Sequence, residues 1–261
     1  MFGLEGQSVV VTGGASNIGR AIVLGLAREG ARIAIIDRDP TQGRITAAEA
    51  GNLGAAHVEV IEADLSDLDQ AARATENAIH ALGGLDVLVN NVGGSLPALF
   101  RDMPREQYLH EVNLNLLAPI VTTRTALDTL VPQGSGCVVS LASAAAWGEP
   151  RTAVYGAAKA GIVALTRSLA KEHGRHGLRF NAVAPGAVEP EGIGSGSLWA
   201  TAGQIWQDDS QLASVLRQVP LRRLSTPDDI AYAVLFLASE TTARQLTGQV
   251  LNVSGGFHMS T

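Results

Sequence analysis

The chain is predicted to be an α/β protein: a single Rossmann-type doubly wound parallel sheet of about seven strands, with helices on both faces. Three observations lead there. Short apolar runs bounded by turn residues alternate with longer segments whose apolar positions recur at helical spacing. A glycine-rich turn joins the first run directly to the first helical segment. The length, 261 residues, suits one large domain and is short for two with separate cores.

The strand-like runs are SVVVT at Ser8–Thr12, RIAIID at Arg32–Asp37, 57–61, 86–90, GCVVSL at Gly136–Leu141, 178–183 and 249–253. Helical spacing covers 18–29, 41–52, 67–82, 104–130, 153–173 and 227–238. Asp67 and Thr226 have the side chains of helix N-caps, and Gly30 and Gly174 are suited to stop a helix. Such alternation implies crossovers that return each strand parallel to the last. The one irregular stretch, 185–209, holds five glycines and two tryptophans. It is long for a loop in a compact domain and reads as a functional lid, placed at about 186–215 of a domain spanning 1–261.

Composition narrows the function classes. Apolar residues make up 46% of the chain but aromatic ones only 4%, as suits small-residue helices packed on β-branched strands. A net charge of -6 without a basic run argues against nucleic acid or an anionic membrane as partner. One cysteine, Cys137, cannot form an internal disulfide or a CxxC site and is read as buried packing. No stretch has ~18 uninterrupted apolar residues, and the N-terminus runs into a strand without a leader-like segment. A cytoplasmic location is expected. The six histidines are scattered, with no HExxH or Cys/His cluster, so no metal is expected, and no G-x-S-x-G elbow supports a serine hydrolase.

The first strand ends in Thr12, Gly13, Gly14, Ala15, Ser16, Asn17, Ile18 and Gly19, and a helix follows at once. A helix N-terminus offers unpaired N–H groups and a positive dipole end, which suit phosphates. Glycines there let backbone approach a pyrophosphate. Asp37, at the end of the second strand, can accept hydrogen bonds from adenosine ribose hydroxyls and would repel a 2′-phosphate. NAD is therefore favoured over NADP, although neighbouring Arg38 could bind such a phosphate.

These motifs resemble the short-chain dehydrogenase/reductase family over essentially the whole chain. The cofactor turn matches at Thr12, Gly13 and Gly19 and departs at Asn17, where the family has glycine. Asn tolerates left-handed backbone best among non-glycine residues, so the turn should survive. Further matches are Asp64 with Leu65, Asn90-Asn91-Val92-Gly93, Asn113, Ser143, Tyr155 with Lys159, Pro185-Gly186 with Val188, and the terminal TGQVLNVSGG. The resemblance implies a nicotinamide-dependent oxidoreductase. It gives Asp64 an adenine contact, Lys159 the nicotinamide ribose, and Asn113 a water linking Lys159 to solvent. It also implies a homotetramer, with 104–130 and 153–173 at one interface.

Tyr155 and Lys159 are four apart, hence on one face of a helix. An ammonium about 4 Å from a phenol, at effective dielectric ~20, would favour phenolate by about 4 kcal/mol. The expectation is therefore a tyrosine pKa brought down towards neutrality, with Tyr155 as general acid/base. Ser143 can hold the substrate oxygen, and Ser140 is its weaker competitor. Asn115 lies on another helical face from Asn113 and reads as structural. Ser95, Leu96, Trp147 and Glu189 are candidates for the substrate pocket, with Trp199, Ile205 and Trp206 on the lid. NNVGGS and the Glu after the PG motif resemble enzymes that oxidise cyclic diols. The reading is an NAD-dependent dehydrogenase of a secondary, ring-sized alcohol. An NADPH-dependent ketone or 3-oxoacyl reductase is the alternative, and a nucleotide-sensing or scaffolding module the non-enzymatic one.

Overall fold

The structure is a computed structural model that describes residues 2–189 and 209–259. Seven strands form one parallel sheet in the order β3-β2-β1-β4-β5-β6-β7. They are β1 (Ser8–Thr12), β2 (Arg32–Asp37), β3 (His57–Glu62), β4 (Val87–Asn90), β5 (Gly136–Leu141), β6 (Leu178–Pro185) and β7 (Val250–Val253). The described helices are α1 (Asn17–Arg28), α2 (Pro40–Leu53), α3 (Leu68–Leu82), α4 (Arg105–Val112), α5 (Ala118–Gln133), α6 (Ala153–His173), α7 (Asp209–Gln218), α8 (Pro227–Ala238) and α9 (Glu240–Ala243). The chain is thus a single Rossmann-type domain. Of the stretch expected to form a lid, residues 190–208, with Trp199, Ile205 and Trp206, lie outside the described residues.

Period-two alternation sorts the strand side chains onto two faces. Val9 and Val11 of β1, with Ile33 and Ile35 of β2, pack under α1 and α8. Val10, Ala34 and Ile36, between them in sequence, pack on α3 and α5 with Leu88, Val138 and Phe180. Both faces are covered, which is why the strands read as continuous apolar runs. Each fully buried Leu or Ile here contributes about 1.5–3 kcal/mol of transfer free energy. The helices approach closely through small residues. A side chain at Gly25 of α1 would meet Leu235 of α8 at 3.2 Å.

Two helix ends differ from expectation. Asp67 and Thr226 cap α3 and α8 as anticipated, the latter in a reciprocal capping box with Asp229. Gly174, however, keeps right-handed backbone and continues into a short 3-10 turn, and Gly177 (φ +74°) ends it. The single helix expected over 104–130 is also divided. Between α4 and α5, residues Asn113–Leu117 form a π turn in which the Ala118 N–H bonds to the Asn113 carbonyl. Pro119 follows with no N–H to give the carbonyl four residues back, so a regular α ladder could not be completed there.

The strand order places the site. From β1 the sheet grows outward through β2 on one side and through β4 on the other. At that reversal the loops leaving the two carboxyl ends part and open a crevice.

Candidate active site

The crevice is a cavity of about 400 Å³. Its floor is the turn between β1 and α1. Gly13 (φ +66°) donates its N–H to the Ile36 carbonyl at 2.7 Å. Gly19 presses on it from the first turn of α1: a Cβ there would lie 1.9 Å from the Gly13 carbonyl oxygen. Asn17 adopts the left-handed conformation (φ +49°), so the turn does survive the replacement of glycine. Ser16, Asn17, Ile18 and Gly19 line the cavity, with the N-terminus of α1 directed at it.

Thr12 and Asn91 bind this turn to β4. The Thr12 hydroxyl accepts the N–H groups of Asn91 (3.0 Å) and Val92 (3.1 Å) and donates to the Val89 carbonyl (3.3 Å). The Asn91 side chain returns two bonds, to the carbonyls of Thr12 (2.9 Å) and Gly13 (3.0 Å). Asn91, Val92 and Gly93 are thereby held on the wall facing the glycine turn.

Asp37, Arg38, Asp64 and Leu65 line the far end of the cavity. The Asp37 carboxylate accepts from Ala15 N–H at 3.0 Å and Asp39 N–H at 3.1 Å. It therefore braces the glycine turn as well as facing the cavity. Asp64 accepts from the Ser66 hydroxyl (2.8 Å) and amide (2.9 Å), and that fixes its turn.

At the opposite end Ser143, Tyr155 and Lys159 share the wall with Pro185, Gly186 and Val188. Ser143 follows β5 in extended backbone, and its Oγ accepts the Ala145 N–H at 3.2 Å. Ser140, by contrast, is buried beside Thr166 and Asn181, away from this cavity. Lys159 is 2% exposed and donates from Nζ to the Leu141 carbonyl at 2.8 Å, which ties α6 to the end of β5. Val188 bridges to Ser225, and the Gly186 N–H bonds to the Val253 carbonyl at 3.0 Å.

The electrostatics correct one expectation. Burial pushes the Tyr155 phenol above its ordinary pKa; the Ser143 hydrogen bond opposes this, and the carboxylates of Glu149 and Glu111 add to it. Burial likewise depresses Lys159, to about 8. Nζ stands 5.6 Å from the Tyr155 ring centre and is committed to Leu141. Desolvation of both groups thus outweighs the attraction that spacing alone suggested. In the protein by itself, Tyr155 is a neutral acid.

Four expected residues are not part of the cavity wall. Leu96 is exposed. Asn113 opens the π turn, which packs on α6. Trp147 stacks on His258, ring centres 4.0 Å apart. Glu189 is exposed, its N–H bound to the Ser225 carbonyl at 2.8 Å. Conversely His110 and Leu114, which sequence reasoning passed over, do line the cavity. Their spacing of four, which puts both on one helical face, was the available signal. Asn115 is fully buried and structural: its side chain accepts the Gly94 N–H (3.0 Å) and donates to the Gly94 carbonyl (2.8 Å). Cys137 is buried packing, its thiol pushed up to about 11 by burial.

Relatives of this chain share the whole architecture. Residues 13–258 match the family described as Enoyl-(Acyl carrier protein) reductase. The L-rhamnose 1-dehydrogenase (NAD(P)(+)) of Azotobacter vinelandii is 37% identical over 261 residues, covering 97% of each chain. The 1,6-dihydroxycyclohexa-2,4-diene-1-carboxylate dehydrogenase of Pseudomonas putida is 35% identical over 258 residues, covering 97% of this chain and 93% of its own. Among solved structures, a 7 alpha-hydroxysteroid dehydrogenase complexed with NADH and 7-oxo glycochenodeoxycholic acid superposes with a TM-score of 0.89 at 28% identity, covering 98% of this chain and 95% of the other. With the cavity at the β1/β4 reversal and Ser143, Tyr155 and Lys159 on its wall, the chain belongs to the short-chain dehydrogenase/reductase family of oxidoreductases.

Proposed function

We propose that the protein is an NAD-dependent dehydrogenase that interconverts a ring-sized secondary alcohol and its ketone, with Tyr155 as the acid/base. The observation that carries this reading is the convergence of Ser143, Tyr155 and Lys159 at one end of a cavity whose other end is the glycine turn and Asp37. A dinucleotide fits the donor set: Gly19 packs α1 directly on the Gly13 carbonyl, and the start of α1, with no side-chain cap, leaves backbone N–H groups for a pyrophosphate. Ser16–Gly19 would hold the pyrophosphate, Asp37 the adenosine ribose, and Asp64 with Leu65 the adenine. Asn91–Gly93, Lys159, Pro185, Gly186 and Val188 would hold the nicotinamide end. When bound, NAD supplies the hydride acceptor and a positively charged ring.

The chain's own residues handle the oxygen. Ser143 orients the substrate hydroxyl by hydrogen bond, Tyr155 takes its proton in oxidation and returns it in reduction, and Lys159 holds the ribose beside them. Asn113 is assigned a supporting role behind Lys159, since its π turn packs against α6. The negative Asp37 favours NAD over NADP. Ring alcohols are favoured because two relatives act on a sugar and on a cyclic diol acid. We also assign a homotetramer, supported by exposed Tyr108 and Leu109 on α4 and Ile120 on α5, and tested by sedimentation.

The test is NAD reduction against cyclic diols, sugars and hydroxyacyl thioesters. Oxidation of a ring alcohol with NAD is the expected outcome. Reduction of a 3-oxoacyl thioester by NADPH, without ring-alcohol oxidation, would establish the reductase reading, which a 32% identical 3-oxoacyl-[acyl-carrier-protein] reductase of Thermotoga maritima favours.

A further inference from the structure

Gln107, Glu111 and Asn115 are spaced by four residues along α4 and into the π turn, and so share a face. All three bind the same short segment, residues 94–96. Gln107 donates to the Leu96 carbonyl at 2.6 Å. Glu111 Oε1 accepts from the Ser95 hydroxyl (3.1 Å), the Leu96 N–H (3.2 Å) and Gln107 (3.3 Å). Asn115 brackets Gly94 on both of its backbone groups and also donates to the Glu111 carbonyl at 2.9 Å. Glu111 is a carboxylate only 2% exposed, and its second oxygen is buried with no hydrogen-bond partner among the described residues. A buried carboxylate with one unpaired oxygen is destabilising in itself.

The segment so held borders the reacting groups. Ser95 lines the same cavity as Ser143 and Tyr155, and a Cβ on Gly93 would meet Asn115 Oδ1 at 2.7 Å and Lys159 Nζ at 3.0 Å. Its far end is tied to the segment after β5, Ala98 N–H bonding to the Arg151 carbonyl at 2.9 Å. We infer that the Gln107–Glu111–Asn115 ladder fixes the substrate-side wall of the site, with Glu111 as its positioning residue. The inference rests on the proposed function only in taking Gly94 and Ser95, which line the cavity, to face the substrate. Glu111 acts through Ser95 and Leu96, and touches neither substrate nor cofactor.

The test combines amide hydrogen exchange with kinetics on wild type, Glu111→Ala, Glu111→Gln and Gln107→Ala. Glu111→Ala is expected to speed exchange at Leu96 by about tenfold or more, with the amides of β4 and α5 unchanged. Glu111→Gln keeps an acceptor oxygen and should restore most of that protection. Gln107→Ala, at a half-buried position, should shift Leu96 in the same direction and serves if Glu111→Ala does not fold. With cis-cyclohexane-1,2-diol as probe, Glu111→Ala should raise KM about tenfold while kcat and NADH affinity stay within about threefold. Unchanged exchange at Leu96 would overturn the inference, as would acceleration spread equally through β4 and α5, or no rescue by glutamine. So would a freed Leu96 amide with KM unmoved. If wild type oxidises no alcohol, the functional reading fails, and the exchange pattern still decides the ladder.

Discussion

Lys159 gives its ammonium to the Leu141 carbonyl at 2.8 Å rather than to the tyrosine one turn before it. That bond anchors α6 to the carboxyl end of β5 and sets where Tyr155 stands. It also buries a cation, and burial lowers its pKa from an ordinary 10.5 to about 8. Lys159 is therefore a positioning group with an electrostatic penalty attached.

That penalty has a pH signature. Below pH 8 the folded and unfolded chains both carry the proton, and the burial penalty, about 3 kcal/mol, is fully present. Between about 8 and 10.5 the unfolded chain holds a proton that the folded chain lacks, so this group's contribution to stability rises with pH. Lys159→Met removes the charge and one hydrogen bond worth about 1 kcal/mol. Denaturant unfolding should find it about 2 kcal/mol more stable than wild type at pH 7, with the advantage fading by pH 10. A difference independent of pH would contradict the assignment.

Asp37 carries two duties, bracing Ala15 and facing the cavity. Asp37→Asn keeps an acceptor for the Ala15 N–H and removes the charge. NADH affinity should fall about tenfold, and NADPH affinity should rise, both read by quenching of protein fluorescence. Unchanged affinities for both would remove the case for NAD.

Gly19→Ala would set a methyl group 1.9 Å from the Gly13 carbonyl oxygen. The turn must open to admit it. We expect NADH binding to fall at least about a hundredfold while thermal stability drops by ~1–3 kcal/mol, as for other overpacked sites. Binding at wild-type affinity would show that the turn does not receive the cofactor.

The fold was legible because its signals are local. β1, β2 and β5 follow the apolar runs residue for residue, since strands covered on both faces leave no polar interruption to blur their ends. The Asn17 turn was legible too, from a backbone preference that belongs to the residue itself. What was missed depends on partners distant in sequence. Trp147 looked like a pocket residue until His258, near the other end of the chain, stacked on it. Glu111 drew no reading from its own stretch of sequence, and only the return of residues 94–96 across α4 buries it. The π turn at Asn113 breaks a spacing that reads as one continuous helix. The Tyr155–Lys159 attraction could be drawn from spacing, but the desolvation that outweighs it could not.

The account's central claim is that Tyr155 moves the substrate proton. Its most direct test is Tyr155→Phe, assayed for NAD reduction by cis-cyclohexane-1,2-diol or the best ring alcohol found, with NADH affinity measured in parallel. Loss of an acid/base group of this kind should lower turnover by about 10²–10⁴-fold. NADH affinity should stay within about threefold, because Lys159 and the glycine turn are untouched. Turnover near that of wild type, with NADH still bound, would contradict the account.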